Sequence, residues 1–364
     1  MAKNVIKQNS ATTIAIATAG DHWVVSQPVI IRTEGMSVHG IHETSAASGN
    51  RIDINGLVST NGSGAFALLS QGLESDLRIG KSGVLSNTTT AVRVEGDGST
   101  LVNRGRISAV NEGISLVGEN QVLTNEGSVG AVSAVKVMGG FNTVINEKGG
   151  ILSGFGSTGT TAGVAVLLSA PGETTRIVNR GEISGVHYAV YGEVGDETVV
   201  NRGTLTGLVI LGDGADRFDN RGGTLVGTAD GGLGDDVYLI DDADTDIREF
   251  LNSGTDTVRS SVSYDLDSNF EQLVLIGGKN LKGGGNELAN TIHGNSGNNV
   301  LRGQAGNDDL LAGKGKDRLF GGTEADLFHF ATGDGKDTIM DFENGIDRIG
   351  VGRWKAIRDA QDLI

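Results

Sequence analysis

Between Gly294 and His329 the chain repeats every nine residues at constant phase: GNSGNNVLR, GQAGNDDLL, AGKGKDRLF and GGTEADLFH. The sixth place holds Asn299, Asp308, Asp317 and Asp326, and the eighth holds Leu301, Leu310, Leu319 and Phe328. Each unit is a glycine-rich turn followed by a very short strand with one large apolar side chain. So little side-chain mass per unit cannot build a conventional core. The apolar positions can instead line a narrow interior while the aspartate-bearing turns face one another outside it. Glycine is needed where such turns take positive φ or bring backbone close to a ligand. Carboxylates and backbone carbonyls at regular spacing are the hard oxygen donors that calcium prefers.

This spacing resembles the G-G-x-G-x-D-x-U-x repeat of the RTX (repeats-in-toxin) family. The resemblance implies a calcium-binding parallel β-roll with calcium as cofactor. The ligand positions it implies are Asp216, Asp236, Gly294, Asn299, Gly303, Gly306, Asp308, Gly313, Gly315, Asp317, Gly321, Asp326 and Asp337. If two nonapeptides make one turn, Asp308 stacks on Asp326, and Asn299 on Asp317. Asn299, and Asn290 in the degenerate unit GNELANTIH (285–293), are neutral and predict weaker binding early in the array. Glu324 stands at a usual glycine place and is expected to strain its turn or shield the last site. Two earlier matches, LGDGADRFD (211–219) and GGLGDDVYL (231–239), put Asp216 and Asp236 at the sixth place, 20 residues apart rather than 18.

A longer repeat precedes the array. LVNRGRIS (101–108), VLTNEGSV (122–129), VINEKGGIL (144–152), IVNRGEIS (177–184) and VVNRGTLT (199–206) place asparagine at 103, 125, 146, 179 and 201. Asn55 and the stretch 77–86 read as earlier, weaker copies. Short alternating strands bounded by Asn-Gly turns lie between them, so one coil of two or three faces per ~22 residues is expected. The stacked asparagines could form an internal amide ladder or serve singly as turns. The 33-residue interval predicts an extra loop around 154–163 and 170–173.

The expected fold is all-β: a right-handed parallel β-helix running without a linker into a calcium-binding parallel β-roll. Its parts read as a cap and first coil over 1–50, with residues 10–19 as a strand rather than a signal peptide, and β-helix coils over 51–210. First nonapeptides follow over 211–240, then an interrupting β segment over 241–283 and the main roll over 284–329. A cap fills 330–364, whose tail, with Trp354, Ile357 and Leu363, resembles a type I secretion signal.

Charge narrows the partners. Residues 205–350 hold 26 acidic and 12 basic side chains, so −14 of the chain's net −16 lies there. Such a segment repels nucleic acid and anionic membrane, and it destabilises its own compact form unless cations neutralise it. No run of 18 apolar residues exists, and no cysteine is present. The lack of cysteine suits a chain exported unfolded. Among the histidines His39 and His42 stand three apart but no third zinc ligand is evident, and hydrolase, zinc-protease and nucleotide motifs are absent. His187 with Tyr188 and Tyr191 is a candidate sugar-stacking patch. The implied function is a secreted, calcium-stabilised structural or adhesive protein, exported by type I secretion from a Gram-negative bacterium, with surface glycan or cell matrix as partner. The alternative is a polysaccharide lyase or C5-epimerase. It would need carboxylates joined to basic, histidine and aromatic residues in one groove, and the sequence shows acids scattered singly.

Overall fold

The structure is a computed structural model describing residues 2–156, 163–169 and 173–352. The chain is all-β, a right-handed parallel β-solenoid with a distinct small parallel sheet. Its contacts divide it into two units, residues 1–230 and 231–364.

In the middle of the first unit each coil contributes three short strands to three parallel ladders, and in two later coils the second and third strands run together as Glu182–Tyr191 and Thr204–Asp213. One coil runs Thr100–Asn103, Arg106–Ala109 and Glu112–Leu116, and the next runs Val122–Asn125, Ser128–Ala131 and Ser133–Val137. Alternation of polar and apolar residues turns every second side chain inward. In-register pairing then stacks like on like: Leu77, Leu101, Leu123, Val144, Ile177, Val199 and Phe218 form one continuous buried column. The amino-terminal segment fits the same scheme, with Lys3–Ile6 pairing with His22–Val25 and Ile14–Ile16 pairing with Ile41–Glu43.

The repeated asparagines form an amide ladder. Each Nδ2 donates to the Oδ1 one coil on, at 2.8 Å for Asn103 to Asn125, 2.8 Å for Asn125 to Asn146, 2.9 Å for Asn146 to Asn179 and 2.8 Å for Asn179 to Asn201. The ladder continues to Asn220 at 2.7 Å. All these side chains are buried. An asparagine has both a donor and an acceptor, so a stack of them satisfies itself where a stack of identical charges would repel. Asn55 is outside the ladder. The positions in register with Asn103 in earlier coils are Ile79 and Ile54, so the earlier copies continue the column with apolar residues. The extra loop expected around 154–163 and 170–173 lies largely outside the described residues, as does the tail from Arg353.

In the second unit two nonapeptides make one turn. Thr291–His293, Asp309–Leu311 and Leu327–Ala331 lie in one ladder, and Tyr264–Asp265, Lys282–Gly284, Val300–Ala305, Arg318–Thr323 and Thr338–Ile339 form the small sheet. Leu310 pairs with Phe328 and Leu301 with Leu319, each 18 residues apart and fully buried. Residues 241–283, expected to interrupt the array, break only its sequence pattern. Val237–Ile240, Thr257–Ser260, Gln272–Leu275 and Thr291–His293 pair in succession. The inward column passes from Tyr238 through Val258, Leu273, Ile292, Leu310 and Phe328 to Ile349. A parallel ladder needs backbone groups and one inward apolar side chain per coil, and this segment supplies both.

Candidate metal centres

The sixth-place residues line up along one side of the coil because register brings residues 18 apart into contact. The backbone N–H of Asp308 donates to Asp326 Oδ1 at 3.0 Å, and that of Asn299 donates to Asp317 Oδ1 at 2.6 Å. The same link joins Asn290 to Asp308 at 2.7 Å, Asp317 to Asp337 at 3.0 Å and Asp326 to Asp347 at 3.1 Å. Each carboxylate therefore spends one oxygen on the coil before it. The other oxygen, Oδ2 of Asp308, Asp317 and Asp326, is buried and has no hydrogen-bond partner. These three side chains are each 1% exposed, and no salt bridge reaches them among the described residues.

The predicted glycines divide into two kinds. Gly306, Gly313 and Gly315 take positive φ at the turns. Gly294, Gly303 and Gly321 are positions of close approach, where a Cβ would overlap a ligand-type oxygen. Over Gly303 lie Asp308 Oδ2 and the Gly321 carbonyl, and over Gly294 lie Asn299 Oδ1 and the Ala312 carbonyl. Thus the sixth-place oxygen meets the carbonyl that opens the unit 18 residues on, a pair of hard oxygens repeated along the turns.

Burial, followed by the charge of neighbouring carboxylates, pushes Asp308 and Asp317 up to about 7 and Asp326 to about 6; burial also raises Asp337. A row of buried carboxylates with idle oxygens and no cationic side chain is short of positive charge. A cation with several oxygen ligands supplies it, and the donor set fits calcium.

The asparagine positions differ. Asn299 Oδ1 accepts from the Asn295 N–H at 2.9 Å, and its Nδ2 donates to Asn295 Oδ1 at 3.1 Å. Asn290 Oδ1 accepts from the Asn286 N–H at 2.7 Å, and its Nδ2 donates to the Phe270 carbonyl at 2.9 Å. Their amides close these turns with hydrogen bonds. Glu324 takes φ +80°, and its carboxylate accepts the Gly306 N–H, so it sits at a strained turn and binds backbone one coil back.

Comparison with known families matches residues 284–319 and 311–340 to the RTX calcium-binding nonapeptide repeat, a model of four copies. Residues 284–340 are an RTX calcium-binding repeat. No curated protein matches the chain, and no solved structure does. The RTX repeat is a short part of a larger parallel β-solenoid. Among the described residues no helix is long and apolar enough to cross a membrane, which says nothing of a β-barrel.

The two earlier nonapeptides have other partners than the RTX repeat. In the first unit Asp216 Oδ1 accepts the Glu197 N–H at 2.5 Å, and both side chains are buried. Burial raises both carboxyls well above the ordinary range, with the charge of Asp196 adding to the rise at Glu197 and that of Glu197 to the rise at Asp216. In the second unit the Asp236 N–H donates to Asp256 Oδ1 at 2.9 Å, and the Asp256 N–H to Glu271 Oε2 at 2.8 Å. Glu249 joins Asp236 and Asp256 in a buried cluster. Asp256 carried a signal in the sequence, since it follows Asp236 by the same 20 residues that separate Asp236 from Asp216. Glu249 carried none, because it lies off the repeat.

The first unit also assembles a mixed cluster that the sequence did not reveal. His39 stacks on Phe66 at 5.3 Å between ring centres, and the Arg93 guanidinium lies over the same Phe66 ring at 5.7 Å from its centre. His42 Nε2 contacts Gln71 Oε1 at 2.9 Å, Gln71 Nε2 donates to Glu95 Oε2 at 2.7 Å, and Arg93 Nε donates to Glu95 Oε1 at 2.6 Å. Burial pushes the Glu95 carboxyl up, but hydrogen bonds from Arg93 and Gln71 outweigh it and hold the group below its usual range. A carboxylate so occupied is a weak base, and the cluster is closed on itself. Tyr188 and Tyr191 meet edge to face at 4.9 Å, with His187 beside them at 6.4 Å from Tyr188.

Proposed function

We propose that this is a secreted, calcium-stabilised structural or adhesive protein whose RTX repeat folds on calcium outside the cell, and that it carries no catalysis of its own. The observation that carries the reading is the buried, partnerless Oδ2 of Asp308, Asp317 and Asp326 in a coil of two nonapeptides. Calcium would be held there by these oxygens together with carbonyls such as that of Gly321, with Asp337 completing the carboxyl end. Binding that exists only in the folded state adds its free energy to stability, so calcium outside the cell becomes the folding signal. The regular outer faces of the solenoid would then present surface to glycan or matrix. The His39–Phe66–Arg93 cluster supports the polysaccharide-lyase or epimerase alternative by composition, while its internal hydrogen bonds favour a structural role.

Hydrogen exchange on the full chain tests the calcium reading. With a chelator, protection over 284–340 should be lost, and millimolar calcium should restore it, while the strands of 51–154 stay protected in both. Equal protection of 284–340 with and without calcium would sink it. Incubation with alginate and pectin should release no unsaturated or epimerised product; if product appears and is lost in Glu95→Gln, the protein is an enzyme.

A further inference from the structure

We infer that Glu249, which lies off the nine-residue spacing, completes a calcium site with Asp236 and Asp256 ahead of residues 284–340, an inference that rests on the calcium reading above. One ligand oxygen from each lies within 4.8 Å of the others. Calcium binds oxygen at 2.3–2.6 Å, so ligands facing each other across the ion stand roughly 4.6–5.2 Å apart, and this cluster fits inside that sphere. The residues reach it from different elements. Asp236 precedes the strand Val237–Ile240, Glu249 follows Ile247–Arg248, and Asp256 precedes Thr257–Ser260. Three acids from three turns converge on one buried point, and only Glu249 reaches it without a repeat to place it there.

A second observation points to a ligand. Glu249 is 5% exposed, and its Oε2 is buried with no hydrogen-bond partner. Its Oε1 accepts the Tyr238 hydroxyl proton, and that hydroxyl accepts the Gly231 N–H. Tyr238 is itself fixed edge to face against Phe270 at 5.4 Å. Asp256 is held by the Asp236 N–H on one oxygen and by the Ser253 hydroxyl, at 3.2 Å, on the other. No lysine or arginine pairs with Glu249 or Asp256 among the described residues. The turn leaves room deliberately at Gly231, where a Cβ would overlap Asp236 Oδ2 and crowd the Tyr238 hydroxyl. Burial and the neighbouring carboxylates raise both Glu249 and Asp256 above the ordinary range, so the cluster is short of positive charge.

Tyr238 makes the site readable. Residues 284–340 contain no tyrosine or tryptophan, and the Tyr238 hydroxyl donates to Glu249, so the part of the tyrosine-excited terbium emission that depends on Tyr238 reports this cluster. On the full chain, terbium should emit when tyrosine is excited, and calcium should quench the signal by displacement. Tyr238→Phe should lower the emission. Glu249→Gln and Asp256→Asn should each lower the calcium stoichiometry from titration calorimetry by one equivalent per chain. Asp308→Ala should leave the Tyr238-dependent part of the emission intact, which separates this site from residues 284–340. Emission unchanged in Tyr238→Phe, or absent from the wild-type chain, overturns the proposal whether or not the carboxyl variants fold. Unchanged stoichiometry in folded Glu249→Gln also overturns it and leaves a shared proton as the cluster's counter-charge.

Discussion

Asp308 and Asp326 show how one side chain performs two tasks. Oδ1 of Asp326 accepts the Asp308 N–H, which ties one coil to the next, while Oδ2 lies buried beside Gly321. Removing either carboxylate should take a ligand from a shared ion and loosen the column at Leu310 and Phe328. Asp308→Ala and Asp326→Ala should each weaken calcium binding. The double variant should lose less than the sum of the singles, because residues sharing one site do not add. Asp97 is exposed and its Oδ1 accepts the Glu119 N–H at 2.8 Å, so Asp97→Ala should leave calcium affinity unchanged. Titration calorimetry of the four variants decides; additive losses at 308 and 326 would mean the two aspartates serve separate ions.

Ladders, rather than single contacts, hold the elements of the first unit together. Asn146 accepts from Asn125 and donates to Asn179, and its Nδ2 also reaches the carbonyls of Gly150 and Glu182 at 3.1 and 3.0 Å. Asn146→Ala breaks the chain of amides in its middle and leaves buried groups short of a partner, at a cost of about 1–3 kcal/mol. Asn55 lies outside the ladder and half-buried, so Asn55→Ala should cost clearly less. Denaturant unfolding of both variants, followed by a probe in the first unit, should show this order in calcium and in chelator alike. A calcium-dependent loss for Asn146→Ala would contradict the assignment of the ladder as purely structural.

At the scale of the whole molecule, acidity and calcium should act in opposite directions. Asp308, Asp317 and Asp326 titrate at about 7, 7 and 6 in the folded, calcium-free chain, against an ordinary aspartate value near 3.9 when unfolded. Above the folded values these carboxylates are ionised in both states, and their penalty on folding is complete. As pH falls from about 8 towards 4 the folded state takes up protons before the unfolded one, so the penalty is relieved and stability rises. With calcium bound the ionised form is the useful one, and acidification releases the ion. The calcium-free protein should therefore melt higher at pH 5 than at pH 8, and the calcium-saturated protein lower. A calcium-free melting temperature that falls on acidification would refute the raised carboxyls.

Periodicity alone determined a good deal: the parallel coil, the 18-residue turn, the buried positions Leu301, Leu310, Leu319 and Phe328, and the aspartates that share one side of the array. These follow because a coil of fixed length returns the same place in each repeat to the same place in space. What had no period had to wait for the tertiary structure. Residues 241–283 look like a break, yet they carry the strand ladder onward, because backbone hydrogen bonds are indifferent to the lost glycines. Asn55 resembles the ladder asparagines but sits one residue past Ile54, and in a strand a single-residue offset turns a side chain to the opposite face. Glu249 meets Asp236 and Asp256, and Phe66 meets His39 and Arg93, only because turns of unequal length fold back to common points. Proximity of that kind is set by the path of the chain in space, which no spacing along the sequence records.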